Sequence, residues 1–389
     1  MEVRSGVTGR RGCTEDRSGT ARRAPTGARG TTDEVSTMKA ARYHGKEDLR
    51  IEDVPEPETR PGTVKIRPAW TGICGSDLHL YLEGPFPPAP SETQPHPLSG
   101  ETLPVVFGHE FSGVVEELGE GVEGLAVGDA VVVEPFMVCG ECPPCRDGLY
   151  NACVKMGFIG ISGRGGGLAE HVVVERRWVH PVGDVPLDQA ALIEPLAVAY
   201  HGVRLSGAQA GDTVLVGGAG PIGLLTCAVL HAIGARAIVT EVSGARKAKA
   251  LETGVADDVL DPREVDVAAR VLELTDGRGA DVAIECSGAQ PVLDTLTRAL
   301  KAGGTLQIVA LFSEPPTLDV MTVLLRELTI KGAIGYADDH PAVIRLVQEG
   351  KVDLAPFVTS RIAVEDVVEK GYRELIDHKD DHVKIVVSV

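Results

Sequence analysis

Four cysteines with a regular spacing are the residues of this chain best placed to do chemistry. The spacing is C-x2-C-x2-C-x7-C, and it uses half of the eight cysteines in the sequence. Thiolates this close together can surround one Zn²⁺ tetrahedrally, whereas the short x2 intervals would strain disulfides within the loop. We therefore predict a closed, structural zinc site, with no open position for a substrate, formed by Cys139, Cys142, Cys145 and Cys153.

A second set of candidate metal ligands is dispersed along the chain. Cys74 lies in Gly-Ile-Cys-Gly-Ser-Asp-Leu-His, His109 and Glu110 follow a glycine, and Glu194 precedes a proline where the sequence pattern changes. Mixed sulfur, nitrogen and oxygen ligation with one open position is typical of catalytic zinc. We predict that these four side chains meet in a cleft.

A glycine-rich turn predicts a nucleotide site. A buried strand over residues 212–216 runs into Gly-Ala-Gly-Pro-Ile-Gly and then into an apolar helix that ends at Ile233, before Gly234. In this context the glycines let the backbone approach a pyrophosphate at the positive end of the helix. The predicted cofactor-binding residues of the turn are Gly218, Gly220, Pro221, Ile222 and Gly223.

The residue that ends the next strand predicts which dinucleotide is bound. Glu241 follows Ala-Ile-Val-Thr, and an acidic side chain at this place accepts hydrogen bonds from a ribose and repels a 2′-phosphate. This favours NAD over NADP. Arg246 lies nearby in the sequence, where it could contact the adenine or partly compensate for a 2′-phosphate, so the preference for NAD is not absolute.

Composition and charge exclude several classes of function. The chain has 389 residues, 43% of them hydrophobic, with a net charge of −18 and 4% aromatic residues. A chain this acidic repels a phosphate backbone, and few aromatics are present for stacking on bases. No apolar run reaches the ~18 residues that span a bilayer. We predict a soluble, cytoplasmic protein that binds neither nucleic acid nor membrane.

The sequence pattern changes three times along the chain. Residues 1–37 are rich in Arg, Gly, Ser and Thr, which predicts a disordered extension. Short apolar runs broken by Gly and Pro over 38–196 predict an all-β, barrel-like domain, and strand–helix alternation over 197–335 predicts a doubly wound parallel sheet. Residues 336–389 are predicted to return to the first domain. The fold class is therefore α/β plus β.

These motifs resemble the zinc-dependent medium-chain alcohol dehydrogenases over essentially residues 38–389. The resemblance implies a GroES-like catalytic domain, a Rossmann cofactor domain, and one catalytic and one structural zinc per chain. It assigns catalytic zinc to Cys74 and His109, with Glu110, Glu194 or both completing the ligand set. It also implies that Asp77 orients His109. The catalytic residues that it implies are Ser76 as a proton relay, His79 as an extension of that relay to solvent, and Glu194.

The resemblance also implies a reaction, the NAD-linked oxidation of a secondary alcohol to a ketone. The segments Gly-Ile-Cys-Gly-Ser-Asp, Gly-His-Glu and Glu-Pro-Leu are similar to the polyol-dehydrogenase branch. Two loops, residues 84–100 and 160–167, are more similar to 2,3-butanediol dehydrogenases, which implies 2,3-butanediol and acetoin as substrates. Sorbitol-type polyols or L-threonine remain alternatives, and so does a nicotinamide-nucleotide-binding structural or regulatory protein. A homo-oligomer, dimer or tetramer, is expected.

Overall fold

The computed structural model describes residues 36–389, so the predicted disordered extension lies outside the described residues except for Ser36 and Thr37. The first strand begins at Thr37, next to the point where strand-like sequence was predicted to start. Residues 36–389 belong to a single unit of the fold. Within them no helix has the length and apolar character needed to cross a membrane.

The first half of the described chain is mainly antiparallel strand. Valine-rich segments form these strands because β-branched side chains pack well on a pleated surface. The strands are β1 (Thr37–Gly45), β2 (Asp48–Pro55), β3 (Thr63–Gly72), β4 (Val105–Val106), β5 (Glu110–Leu118), β6 (Ala130–Val133), β7 (Phe136–Met137), β8 (Gly157–Phe158), β9 (Val172–Glu175) and β10 (Val179–Pro181). The helices are α1 (Gly75–Glu83), α2 (Pro143–Arg146) and α3 (Leu187–Ala190), with 3-10 turns at Tyr150–Ala152 and Arg176–Trp178.

The second half alternates strands and helices. Its parallel strands are β11 (Thr213–Gly217), β12 (Arg236–Thr240), β13 (Asp258–Leu260), β14 (Ala280–Glu285), β15 (Leu300–Ile308) and β16 (Thr329–Gly332). The helices are α4 (Ile193–Ser206), α5 (Pro221–Ile233), α6 (Gly244–Glu252), α7 (Val267–Leu274), α8 (Gln290–Ala299), α9 (Val320–Leu325) and α10 (His340–Gln348). The predicted strand–helix alternation is confirmed.

The parallel strands form one sheet with the order β13-β12-β11-β14-β15-β16. Counted along the chain this is 3-2-1-4-5-6, the order of a doubly wound dinucleotide-binding sheet. The direction in which successive strands are added to the sheet reverses between β11 and β14, where Gly217 of β11 is paired with Glu285 of β14. Ligands bind such sheets in the crevice at the carboxyl ends of the strands beside this reversal, which is where the glycine-rich turn begins.

The last residues of the chain join the sheet that strands of the first half form. They form 3-10 turns at Ala355–Phe357 and Val364–Asp366, strand β17 (Val358–Ala363), a π-helical turn at Val367–Arg373, helix α11 (Glu374–Asp377) and strand β18 (Lys384–Ser388). The resulting seven-stranded sheet has the order β10-β6-β5-β3-β18-β17, with β9 also paired to β3. Smaller sheets have the order β2-β1-β4 and β7-β8.

Helix α4 connects the two kinds of structure. The predicted boundary between residues 196 and 197 falls inside this helix, which runs from Ile193 to Ser206. Its buried side chains share one apolar core with both Val131 of β6 and Val216 of β11. The helix therefore places its first turn at the junction of the two sheets. The division into domains at 38–196, 197–335 and 336–389 stays a prediction.

Candidate functional site

Cys74 is held at the beginning of helix α1, where the chain leaves strand β3. It is the N-cap of the helix, and its backbone N–H donates to the Asp77 carboxylate over 2.9 Å. This interaction closes a capping box, which fixes the direction in which the helix starts. Asp77 is itself 1% exposed, so the Cys74 thiol is presented from a rigid turn.

His109 lies opposite Cys74, directly before strand β5. Gly108 has φ +98°, and a Cβ there would meet Thr71 Cγ2 at 2.7 Å, so only glycine fits this turn. His109 Nδ1 is 3.3 Å from Asp77 Oδ1, and its Nε2 is 3.5 Å from Ser76 Oγ. The Asp77 contact orients the ring and leaves Nε2 available for a cation. Burial lowers the pKa of His109, but the Asp77 carboxylate outweighs it and the net pKa lies well above the ordinary value, so a cation bound at Nε2 would displace a proton from the ring.

The two loops that the sequence analysis singled out pack on each other next to His109. Ser99 Oγ donates to the Ser162 carbonyl over 2.6 Å, and Ser162 Oγ donates to the Pro88 carbonyl over 2.9 Å. The backbone N–H of Gly167 donates to the Gly108 carbonyl over 2.7 Å. The second loop thus supports the turn that carries His109, and the first loop rests on the second.

Glu110 is paired with a lysine that the sequence analysis missed. Lys384 Nζ donates to both Glu110 oxygens, over 2.8 and 2.7 Å, and to the Ile73 carbonyl over 3.1 Å. Both side chains are buried. Burial lowers the pKa of Lys384, but Glu110 outweighs this and the net pKa lies above the ordinary value. A single lysine inside the apolar run Val-Lys-Ile-Val-Val was the available sequence signal.

Glu194 lies in the first turn of α4 and is 7% exposed. It accepts a hydrogen bond from Tyr336 OH over 2.8 Å, a partner that the sequence analysis did not identify. Burial raises the pKa of Glu194 to about 7, and the nearby Glu110 adds to the shift. A carboxyl group with such a pKa is poised to exchange a proton near neutral pH.

The predicted metal ligands come together in part. Cys74, His109 and Glu110 each place one ligand atom within 4.8 Å of the others, while Glu194 is outside this group. A thiolate, an imidazole and a carboxylate match the donor set of a zinc site that keeps an open position. The residues therefore fit a zinc ion. His79 is on the outer part of α1, with its Nδ1 3.1 Å from Glu83 Oε1 and its side chain 56% exposed.

The cysteine quartet forms a second group. All four sulfur atoms lie within 4.8 Å of one another, with Cys153 Sγ 3.5 Å from Cys139 Sγ and 3.9 Å from Cys142 Sγ. Sulfur atoms bound to one tetrahedral zinc are about 3.8 Å apart. Backbone N–H groups of Val154 and Cys145 lower the pKa of Cys142, whereas burial and the neighbouring thiols raise the pKa of Cys145, so the four thiols without a metal do not all ionise together. The four side chains fit a closed zinc site.

The glycine-rich turn joins β11 to α5 as predicted. A Cβ at Gly223 would lie 1.9 Å from the Gly218 carbonyl oxygen, so the helix can pack against the turn only through glycine. Gly220 is the N-cap of α5, Pro221 occupies the first turn, and Ile222 follows it. The nearest atom to a Cβ at Gly220 would be Arg246 Nη1 at 3.8 Å, which leaves room for a phosphate.

Glu241 lies beside this turn. Its carboxylate accepts backbone N–H groups of Ala219 over 2.8 Å, Val242 over 2.7 Å and Ser243 over 2.8 Å. Arg246 is close to the turn, and its Nε is 3.1 Å from Asp380 Oδ1. The turn, the helix end and the carboxylate fit the adenosine half of a dinucleotide.

Comparisons with known proteins agree with this geometry. The family model described as "Alcohol dehydrogenase GroES-like domain" matches residues 60–184, and "Zinc-binding dehydrogenase" matches residues 221–349. The chain is 53% identical over 354 residues to (R,R)-butanediol dehydrogenase of Neisseria gonorrhoeae, covering 90% of this chain and 99% of that protein. It is 37% identical over 340 residues to sorbitol dehydrogenase of Halalkalibacterium halodurans, covering 85% and 94%.

A solved structure gives the same result. The crystal structure of 2R,3R-butanediol dehydrogenase from Bacillus subtilis superimposes with a TM-score of 0.85 at 43% identity, covering 90% of this chain and 99% of that one. The match spans both the antiparallel and the parallel sheet. With its GroES-like and Rossmann-like parts, the chain belongs to the zinc-containing alcohol dehydrogenases, oxidoreductases that use zinc and a nicotinamide cofactor.

Proposed function

We propose that this enzyme interconverts 2,3-butanediol and acetoin with NAD. The observation that carries the proposal is that Cys74, His109 and Glu110 lie within reach of one cation, in a chain that is 53% identical to a butanediol dehydrogenase. The names of the relatives favour the (R,R) stereoisomer. A sorbitol-type polyol is the second candidate, favoured by the similarity to a sorbitol dehydrogenase.

In the proposed site, Cys74 and His109 hold a catalytic zinc together with Glu110, Glu194 or both. When bound, zinc supplies Lewis acidity that favours loss of the alcohol proton, and the nicotinamide accepts a hydride. Lys384 neutralises Glu110, and the proposal that Glu110 is a ligand is supported by its carboxylate lying within 4.8 Å of the ligand atoms of Cys74 and His109. Asp77 keeps the His109 ring in a fixed orientation.

The alcohol proton is proposed to leave through Ser76. Its hydroxyl lies 3.5 Å from His109 Nε2, next to the ligand group, and can both accept and donate a proton. His79 stands at the solvent-exposed side of the same helix. Glu194, with a pKa raised by burial to about 7, offers a second group that can hold the proton.

Exchange of Glu241 for glutamine tests the preference for NAD. The amide oxygen can still accept the backbone N–H groups of Val242 and Ser243, which donate to one oxygen of Glu241, whereas the N–H of Ala219, which donates to the other oxygen, loses its acceptor. The charge that repels a 2′-phosphate is removed. We expect the ratio of kcat/KM for NADP⁺ to that for NAD⁺ to rise about tenfold, because repulsion of roughly 1 kcal/mol or more is lost. An unchanged ratio would show that Glu241 does not select the cofactor. Glu264→Gln, a change at an exposed acid of the next segment, is the control.

The cysteine quartet is proposed to hold a structural zinc. Replacing Cys142 with serine is expected to remove one zinc per chain and to lower the melting temperature by roughly 5 °C or more, since metal binding contributes to folding. Metal analysis and calorimetry measure both effects. Cys286→Ser, at a partly buried cysteine outside the quartet, should keep the zinc. An unaltered zinc content and melting temperature in Cys142→Ser would refute the assignment.

We also propose that the chain forms a homo-oligomer through the outer edge of the parallel sheet. Strand β16 ends the sheet among the described residues. Helix α9, which precedes this strand in the chain, exposes an apolar face, with Val320, Met321, Leu324 and Leu325 between 58% and 75% exposed. An unpaired edge and such a face suit a second copy. Light scattering after size exclusion tests this; a monomer would reject it.

The substrate assignment is tested with a panel. Purified enzyme is assayed for NAD⁺ and NADP⁺ reduction with (R,R)-, (S,S)- and meso-2,3-butanediol, sorbitol and L-threonine. We expect turnover of (R,R)-2,3-butanediol with NAD⁺, and reduction of acetoin with NADH. Activity on sorbitol or threonine with none on any butanediol would retain the zinc chemistry and reject the proposed substrate.

A further inference from the structure

Two histidines and a glutamate form a buried cluster that has no part in the site described above. Glu134 follows strand β6, His180 lies in β10 and His340 is the first residue of α10. One ligand atom from each lies within 4.8 Å of the other two. The cluster therefore joins two strands of the seven-stranded sheet to a helix that follows the parallel sheet.

The distances in this cluster match metal ligands better than hydrogen bonds. Glu134 Oε2 is 3.4 Å from His180 Nε2 and 3.5 Å from His340 Nδ1. Hydrogen bonds between such atoms are normally 2.7–3.2 Å long. Oxygen and nitrogen atoms bound to one tetrahedral zinc, each at about 2.0–2.1 Å, are about 3.4 Å apart. The distance from the carboxylate oxygen to each ring nitrogen therefore equals the distance between two ligand atoms of one zinc ion.

The ring nitrogens that face the carboxylate have no hydrogen-bond partner. His180 Nε2 and both nitrogens of His340 are buried and unpaired, and His340 is 0% exposed. Each unpaired buried polar atom costs about 1–3 kcal/mol. Burial, aided by the neighbouring His180, holds the pKa of His340 well below its ordinary value, so the ring is neutral and keeps a lone pair.

The glutamate is arranged to present one oxygen to the rings. Tyr150 OH donates to Glu134 Oε1 over 2.5 Å, which leaves Oε2 for the two histidines. The Glu134 side chain is 3% exposed, and a buried carboxylate requires a compensating positive charge or strong hydrogen bonds. The His180 side chain is 18% exposed, but its Nε2 is buried and faces the cluster.

We propose that Glu134, His180 and His340 bind a divalent transition-metal ion, Zn²⁺ in the first instance, at a site separate from both zinc sites above. Two imidazoles and one carboxylate are a common zinc donor set and leave the fourth position for water. The ion would clamp β6 and β10 to α10, and its role would be structural. The proposal does not depend on which alcohol the enzyme oxidises.

Metal analysis of the full-length enzyme tests the proposal. Wild type, His180→Asn and His171→Asn are equilibrated with Zn²⁺, freed of excess ion and analysed by mass spectrometry. His171 is a matched control, since it is also a partly buried histidine on a strand border that contacts glutamates. We expect His180→Asn to hold one zinc per chain fewer than the other two proteins, and added Zn²⁺ to raise the melting temperature of those two by more than that of His180→Asn.

Two results would overturn the proposal. The first is an equal zinc content in all three proteins, together with an equal number of Zn²⁺ ions bound per chain by each protein in calorimetric titration. The second needs no variant and decides the matter even if His180→Asn fails to fold. Zinc-edge anomalous diffraction from Zn²⁺-soaked wild-type crystals should show a peak between the three side chains. A peak at the cysteine quartet without one here would reject the site.

Discussion

Replacing Cys74 with serine is expected to lower kcat by about 10³-fold or more while NAD still binds. Cys74 is one of three side chains that can reach a single cation, and a hydroxyl binds zinc far more weakly than a thiolate. Loss of the ion removes several kcal/mol of stabilisation of the developing negative charge, and each 1.36 kcal/mol corresponds to a factor of ten.

The cofactor site should be unaffected by this change. The glycine-rich turn between β11 and α5 contains none of the ligands, so the dissociation constant for NADH, measured by fluorescence, should change less than about threefold. Cys227→Ala is the matched control, because this cysteine is buried in α5 outside both groups of ligands. Turnover of Cys74→Ser close to that of wild type would refute the assignment of the catalytic zinc.

Replacing Lys384 with methionine is expected to destabilise the enzyme by about 3–5 kcal/mol. The ammonium group contacts both oxygens of Glu110, and the two side chains are 3% and 1% exposed. Removing one partner of a buried ion pair leaves a charge without compensation, which costs more than the intact pair contributes. Denaturant unfolding, followed by tryptophan fluorescence, measures the loss.

A double variant separates this effect from loss of packing. In Glu110→Gln/Lys384→Met the buried charge is absent, so most of the lost stability should return. The loss in Lys384→Met should also be larger after chelation than with zinc bound, because a cation near Glu110 can replace the ammonium charge. If the double variant is as unstable as the sum of the single variants, the ion pair is not the cause.

Local motifs could be interpreted from the sequence because their geometry is set by nearby residues. The strand, the glycine-rich turn and the helix of the nucleotide site follow one another directly, and the structure places them at Thr213–Gly217, 218–220 and Pro221–Ile233. The cysteine quartet spans a short loop, so its spacing already limits how the sulfur atoms can be arranged. The family comparisons confirm the fold class and the kind of enzyme.

The partners of the candidate catalytic residues could not be predicted in the same way. Lys384 meets Glu110 because β18 pairs with β3, which in turn pairs with β5. Tyr336 meets Glu194 across the junction of the two sheets. Nothing in the neighbouring sequence specifies these contacts, since they depend on strand order and on the packing of α4.

By itself, the sequence determined the fold class, the closeness of the four cysteines and the strand–turn–helix order of the nucleotide turn, because each depends on residue types at short range or on apolar periodicity. Only the tertiary structure showed that Glu110, and not Glu194, lies in one group of possible ligand atoms with Cys74 and His109, and that a buried lysine pairs with Glu110. It alone brought Glu134, His180 and His340 together. Contacts between residues far apart in the chain arise from how whole sheets and helices pack, which no local pattern encodes.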